Sequence, residues 1–99
     1  MVKQLKQVDK VDCVIALTHL TITEDRELAA NVPGIDFMLG GHDHSPHTQY
    51  QGECLIHKSG MDAQFVAKFD MILEKKVTEF NGKTYIKNTL FPSWKMILN

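Results

Sequence analysis

Apolar residues fall along the first part of the chain in two different rhythms. Val2, Leu5 and Val8 recur every third residue in an otherwise polar, basic segment, which predicts one side of a short helix. Asp12 then opens an unbroken apolar run, Cys13-Val14-Ile15-Ala16-Leu17. Its shortness and β-branching predict a strand buried on both faces. Thr18 and His19 follow at its C-terminal end. Thr21 and Thr23 are both N-cap candidates, and Thr21 with Glu24 three residues on fits a capping box. Glu24, Asp25 and Glu27 put negative charge in the first turn, where the helix dipole favours it. Leu28, Ala29 and Val32 give an apolar stripe at helical spacing, and Pro33-Gly34 stops the helix. Ile35-Asp36-Phe37-Met38-Leu39 reads as the next strand, ended by Gly40-Gly41.

Strand, helix and strand over roughly thirty residues predict a βαβ unit with parallel strands and a right-handed crossover. After His47 the character changes. Cys54 to His57 is a short strand, and Phe65, Ala67, Phe69, Met71 and Leu73 alternate as in a half-buried strand. Val77–Phe80 and Lys83–Ile86 flank Asn81-Gly82, a strong hairpin signal. The apolar segments Leu90–Trp94 and Met96–Leu98 predict a tail that docks on the sheet or an element that is interrupted. The expected class is α/β: one βαβ unit, then antiparallel strands and a hairpin, in a single unit spanning 1–99.

Composition narrows the function classes. A chain of 99 residues allows one domain at most, with a thin core. A formal net charge of −1, with basic residues scattered singly and in pairs, argues against broad attraction to nucleic acid or an anionic membrane. No stretch approaches the ~20 apolar residues of a membrane span. Met1 to Lys10 lacks the apolar core of a signal peptide, so the cytoplasm is the default compartment, although an export signal on a longer parent chain would be invisible. Cys13 and Cys54 have no partners at zinc spacing and read as two reduced, mostly buried thiols; a disulfide between them stays open.

The candidate chemistry lies where the strands end. His19 follows the first strand, and His42 and His44 follow the second. Open α/β sheets bind ligands beyond the carboxyl ends of their strands, so a βαβ unit brings the three histidines to one rim. Gly40 and Gly41 are expected to let the chain leave the strand in a backbone conformation closed to other residues, and to let a metal and an anionic substrate come close. His42 and His44, one residue apart, can reach one metal or two adjacent ones. Asp43 is expected beside the ligands, accepting the second N–H of a metal-bound imidazole. His47 and His57 read as solvated or internally satisfied histidines, and Asp36, Asp62 and Asp70 as strand-edge or turn carboxylates.

Ile15-Ala16-Leu17-Thr18-His19, Asp25-Arg26-Glu27-Leu28-Ala29 and Val32 through His44 together resemble the second half of a calcineurin-like metallophosphoesterase domain, closest to the 5'-nucleotidase branch. Lys58-Ser59-Gly60-Met61-Asp62 and the strand through Phe69-Asp70 resemble the next segments along the chain in that branch. The resemblance covers about residues 10 to 75 and implies part of a two-sheet sandwich flanked by helices. It implies two divalent metals of the Zn, Mn or Fe class, with His19 and His42 on one and His44 on the other, acting on a nucleotide or other phosphate ester.

The family pattern also calls for an upstream Asp-x-His, a bridging Asp and an Asn-His pair, none of which occurs here. The histidine that assists the leaving group is among them, so no catalytic residue is assigned. Thr21 stands where many members carry glycine. The resemblance therefore implies a piece of a dinuclear phosphoesterase, inactive alone, whose partner is the missing half-domain or a second copy. The alternative is a non-catalytic metal-binding or interaction module. Three imidazoles with an open position could still support weak hydrolysis.

Overall fold

A computed structural model describes the backbone of residues 1–80 and 83–98 and side-chain surroundings through Leu73. Its centre is a mixed four-stranded sheet. The strands are β1 (Ile15–Thr18), β2 (Phe37–Gly40), β3 (Pro46–Gln51) and β4 (Cys54–Ser59), in the order β1-β2-β4-β3. The helix α1 (Ile22–Asn31) connects β1 to β2, which pair in parallel, as the βαβ reading expects. β4 is also parallel to β2, while β3 returns antiparallel on its outer side. The change to antiparallel pairing after His47 is thus only half right. β3 is polar and lies at the sheet edge, so no alternating pattern announces it, and Pro46 is tolerated as its first residue.

One face of the sheet carries the core. Ile35, Met38, Cys54 and Ile56 are buried there, packed by Ala16, Ile22, Leu28, Ala29 and Val32 and by Val2 from the N-terminal segment. That segment forms one wide turn, Gln4–Val8, closed by the Asp9 N–H on the Gln4 carbonyl at 3.0 Å. Val2 docks, but Val8 remains 64% exposed, so the threefold rhythm marks only part of a packing face. Lys6 ties the turn to the sheet by an ion pair with Asp36 at 2.5 Å.

The opposite face is covered unevenly. Phe69 sets its ring edge against Phe37 and His57, with centroids 4.7 and 4.9 Å away. Ile15 and Leu17 share this face by register but remain 43% and 81% exposed. The expectation that β1 is buried on both faces is therefore overturned. β1 is an edge strand, and α1 covers only the side that Ala16 shares with Met38.

Phe69 belongs to β5 (Phe65–Phe80), which pairs antiparallel with β6 (Lys83–Leu98) in a long two-stranded ribbon. The expected alternation holds for Phe65, Ala67 and Phe69, which are half-buried, and fails at Met71 and Leu73, which are exposed. The apolar segments after Leu90 form part of β6, and its pairing puts Phe80 opposite Lys83. The expected Asn81-Gly82 turn lies outside the described residues. Among those residues, no helix is long and apolar enough to cross a membrane. Both cysteines are free, and burial pushes the Cys54 thiol up to about 11.

Candidate functional site

Because β1, β2 and β4 run parallel, their C-terminal ends share one rim. Thr18, Gly40 and Lys58 form one row across the three strands by register. His19 and Leu20 leave the rim from β1, and Gly41 to His44 leave it from β2. The capping box forms as expected. Thr21 Oγ1 accepts the Glu24 N–H at 3.3 Å, and the Glu24 carboxylate takes the Thr21 N–H at 2.8 Å. This fixes where α1 begins, and so how far the His19 loop can stray.

The glycines act differently from expectation. Neither Gly40 nor Gly41 has a positive φ; the left-handed residue is His42, at φ 71°. The Asp43 N–H closes back on the Gly41 carbonyl at 3.0 Å, which makes a three-residue turn of the rare, strained hand. The glycines are required for space instead. A Cβ on Gly40 would lie 3.0 Å from Asp25 Oδ2, 3.1 Å from Lys58 Cε and 3.1 Å from Thr18 Oγ1. A Cβ on Gly41 would lie 3.0 Å from the His19 ring. The Gly41 N–H also holds the turn to β1 through the Thr18 carbonyl at 3.0 Å.

Two of the three predicted ligands meet. The His19 and His42 rings stand edge-on, with centroids 5.4 Å apart and planes at 86°, and both residues are exposed. His44 is exposed on the link to β3, with its carbonyl near Gly60. Among the described residues, no group of three or more His, Cys, Asp or Glu is arranged to hold a metal ion. His57 is the satisfied histidine expected: it is buried, with Nδ1 2.8 Å from Thr48 Oγ1 and Nε2 3.0 Å from Ser59 Oγ.

The residue that sequence reasoning misses is Lys58. It is fully buried, and its ammonium donates to the carbonyls of Gly41 (2.9 Å) and Leu20. It also lies 2.9 Å from Asp25 Oδ2 and 2.8 Å from Asp43 Oδ2. The ammonium is thus the shared counter-charge of both carboxylates. Burial pushes the Lys58 ammonium toward losing its proton, but Asp43 and Asp25 outweigh this and leave its pKa raised. Lys58 in turn holds the Asp43 carboxyl below the usual range, against desolvation, with help from the Ile22 N–H and His42.

Asp43 Oδ2 thus faces the Lys58 ammonium. Asp25, one of the first-turn acids of α1, is fully buried. A signal for Lys58 is present in the sequence: Cys54, Ile56 and Lys58 occupy alternate positions of one strand, so the lysine continues a buried row.

Comparisons with known proteins put this rim in context. Over 80 residues the chain is 31% identical to the trifunctional nucleotide phosphoesterase protein YfkN of Bacillus subtilis (strain 168). The match covers 76% of this chain and 6% of that much longer protein. No family model and no solved structure matches. The chain is therefore a distant, partial relative of a nucleotide phosphoesterase, with an α/β fold compatible with part of such a domain.

Proposed function

We propose that this chain is part of the catalytic domain of a calcineurin-like, 5'-nucleotidase-type phosphoesterase, in which His19, His42 and His44 hold divalent metal ions. One observation carries the reading: His19 and His42 stand ring to ring at the ends of adjacent parallel strands. The relationship to a nucleotide phosphoesterase supports a nucleotide or phosphate ester as substrate.

The residues fit such a group in part. Two exposed imidazoles 5.4 Å apart are suitable donors for one ion of the Zn, Mn or Fe class. Beneath them a single ammonium faces two carboxylates, and the resulting excess of negative charge favours a cation above. Among the described residues, no third such donor is grouped with these two. Bound there, the metals would supply Lewis acidity toward a phosphoryl oxygen and lower the pKa of a bound water. The chain's own contribution is to hold the donors. β1 and the α1 cap fix His19, and the turn closed on Gly41 fixes His42.

Calorimetric titration of the 99-residue chain with Mn²⁺ and Zn²⁺ tests this. Binding by the wild type that His19→Ala and His42→Ala each abolish or greatly weaken is expected. Metal binding unaffected by His42→Ala, or no binding at all, would overturn it. Turnover of an aryl phosphate that disappears in His42→Ala would extend the reading to catalysis by the chain alone.

A further inference from the structure

We infer that Lys58 is the positioning residue of this rim: one buried ammonium holds the His19 loop and the His42 turn in the same place. The inference rests on the proposed metal role of the two histidines for its purpose, though not for its geometry. Lys58 Nζ donates to the carbonyl of Leu20, the residue after His19. It also grips both ends of the three-residue turn centred on His42, through the Gly41 carbonyl at 2.9 Å and the Asp43 carboxylate at 2.8 Å. Its fourth contact, Asp25 at 2.9 Å, belongs to α1 and sets the ammonium from behind. Two loops and a helix thus converge on one nitrogen from a strand further along the chain.

The turn needs such a holder. A non-glycine residue at φ 71° is strained, and a strained conformation persists only where its surroundings over-determine it. The Gly41 carbonyl is the acceptor that closes the turn, and it receives the Lys58 ammonium as well. With the ammonium gone, the turn keeps its own backbone bond and the Gly41 N–H on Thr18, but loses the cation that ties the Gly41 carbonyl to the Asp43 carboxylate. His42 is then free to relax toward negative φ, which swings its ring away from His19. Gly40 completes the device, since a Cβ there would meet both Lys58 Cε and Asp25 Oδ2.

The test uses the full 99-residue chain and reads the loop geometry directly. Lys58→Met removes the ammonium but leaves Asp25 buried and unpaired, which can unfold the chain. Asp25→Asn/Lys58→Met therefore removes both charges. In the double variant, circular dichroism and α1 amide protection should persist. The NMR contact between the His19 and His42 rings and the slowed exchange of the Asp43 amide should be lost. Mn²⁺ affinity should fall about 10–100-fold, the range for residues that orient ligands without touching metal. Lys6→Met, which cuts the Lys6–Asp36 pair, should leave all three readouts unchanged. A retained ring contact and a protected Asp43 amide in a folded double variant would overturn the role. Absence of Mn²⁺ binding by the wild type would instead sink the metal reading, and the NMR readouts would still decide the role of Lys58.

Discussion

Lys58 and Asp25 meet at 2.9 Å with neither side chain exposed to solvent. Removing one partner strands a charge in the interior, which costs far more than the pair itself contributes. Lys58→Met, which takes the ammonium away from the buried Asp25, is expected to destabilise the chain by about 3–5 kcal/mol in urea unfolding, and Asp25→Ala by less, since the ammonium keeps Asp43. Asp25→Asn/Lys58→Met should recover a large part of that loss. Equal destabilisation by the single and double variants would show that the charges are not coupled.

The two adjacent glycines should respond differently to a single methyl group. In Gly40→Ala the new Cβ meets a carboxylate, a lysine stem and a threonine hydroxyl, all packed against one another. Such overpacking should cost about 1–3 kcal/mol. In Gly41→Ala it meets the ring of His19, an exposed side chain that can turn away. Thermal stability should then change little, while the His19–His42 ring contact disappears from NMR spectra. A larger stability loss for Gly41→Ala than for Gly40→Ala would contradict this account of the rim.

Burial pushes the His57 pKa below its ordinary value near 6.5. As pH falls below that value the unfolded chain takes up a proton that the folded chain resists. The unfolded state then binds more protons, so stability should fall with pH in this window. Melting temperature should drop between pH 7 and pH 5, and His57→Gln should flatten that part of the profile. An unchanged slope in the variant would assign the pH dependence to other groups.

The α1 cap predicts a smaller effect. Thr21→Ala removes the hydroxyl that accepts the Glu24 N–H and should cost about 1 kcal/mol. Since the same cap fixes the His19 loop, broadening of the His19 ring signals should accompany the loss. Intact, sharp signals would limit the cap to a stabilising role.

The readable parts of the fold are those governed by local chemistry. The capping box, the Pro33-Gly34 stop and the parallel β1–β2 pairing follow from short-range pattern, as does the meeting of His19 and His42 beyond the strand ends. The failures are tertiary. Nothing local distinguishes β1 at an edge from a strand covered on both sides, because the difference lies in what Phe69 can reach. β3 carries no alternating signal because its partly buried positions at the sheet edge are polar, while Tyr50 is exposed. Local pattern suggests conformational freedom for Gly40, whose actual role is to leave room for a lysine from a strand further along the chain. Lys58 itself makes sense only once two loops and a helix have been brought around it.

The left-handed turn at His42 has a last consequence. Glycine is at ease at φ 71°, and histidine is not. His42→Gly should therefore relieve backbone strain and raise the melting temperature, or at least offset the loss of the side chain, while erasing any metal affinity at this position. Chemistry and folding make opposite demands on a single residue here. On the proposed metal role, the melting temperature of His42→Gly measures how much backbone strain the chain carries to present that imidazole beside His19.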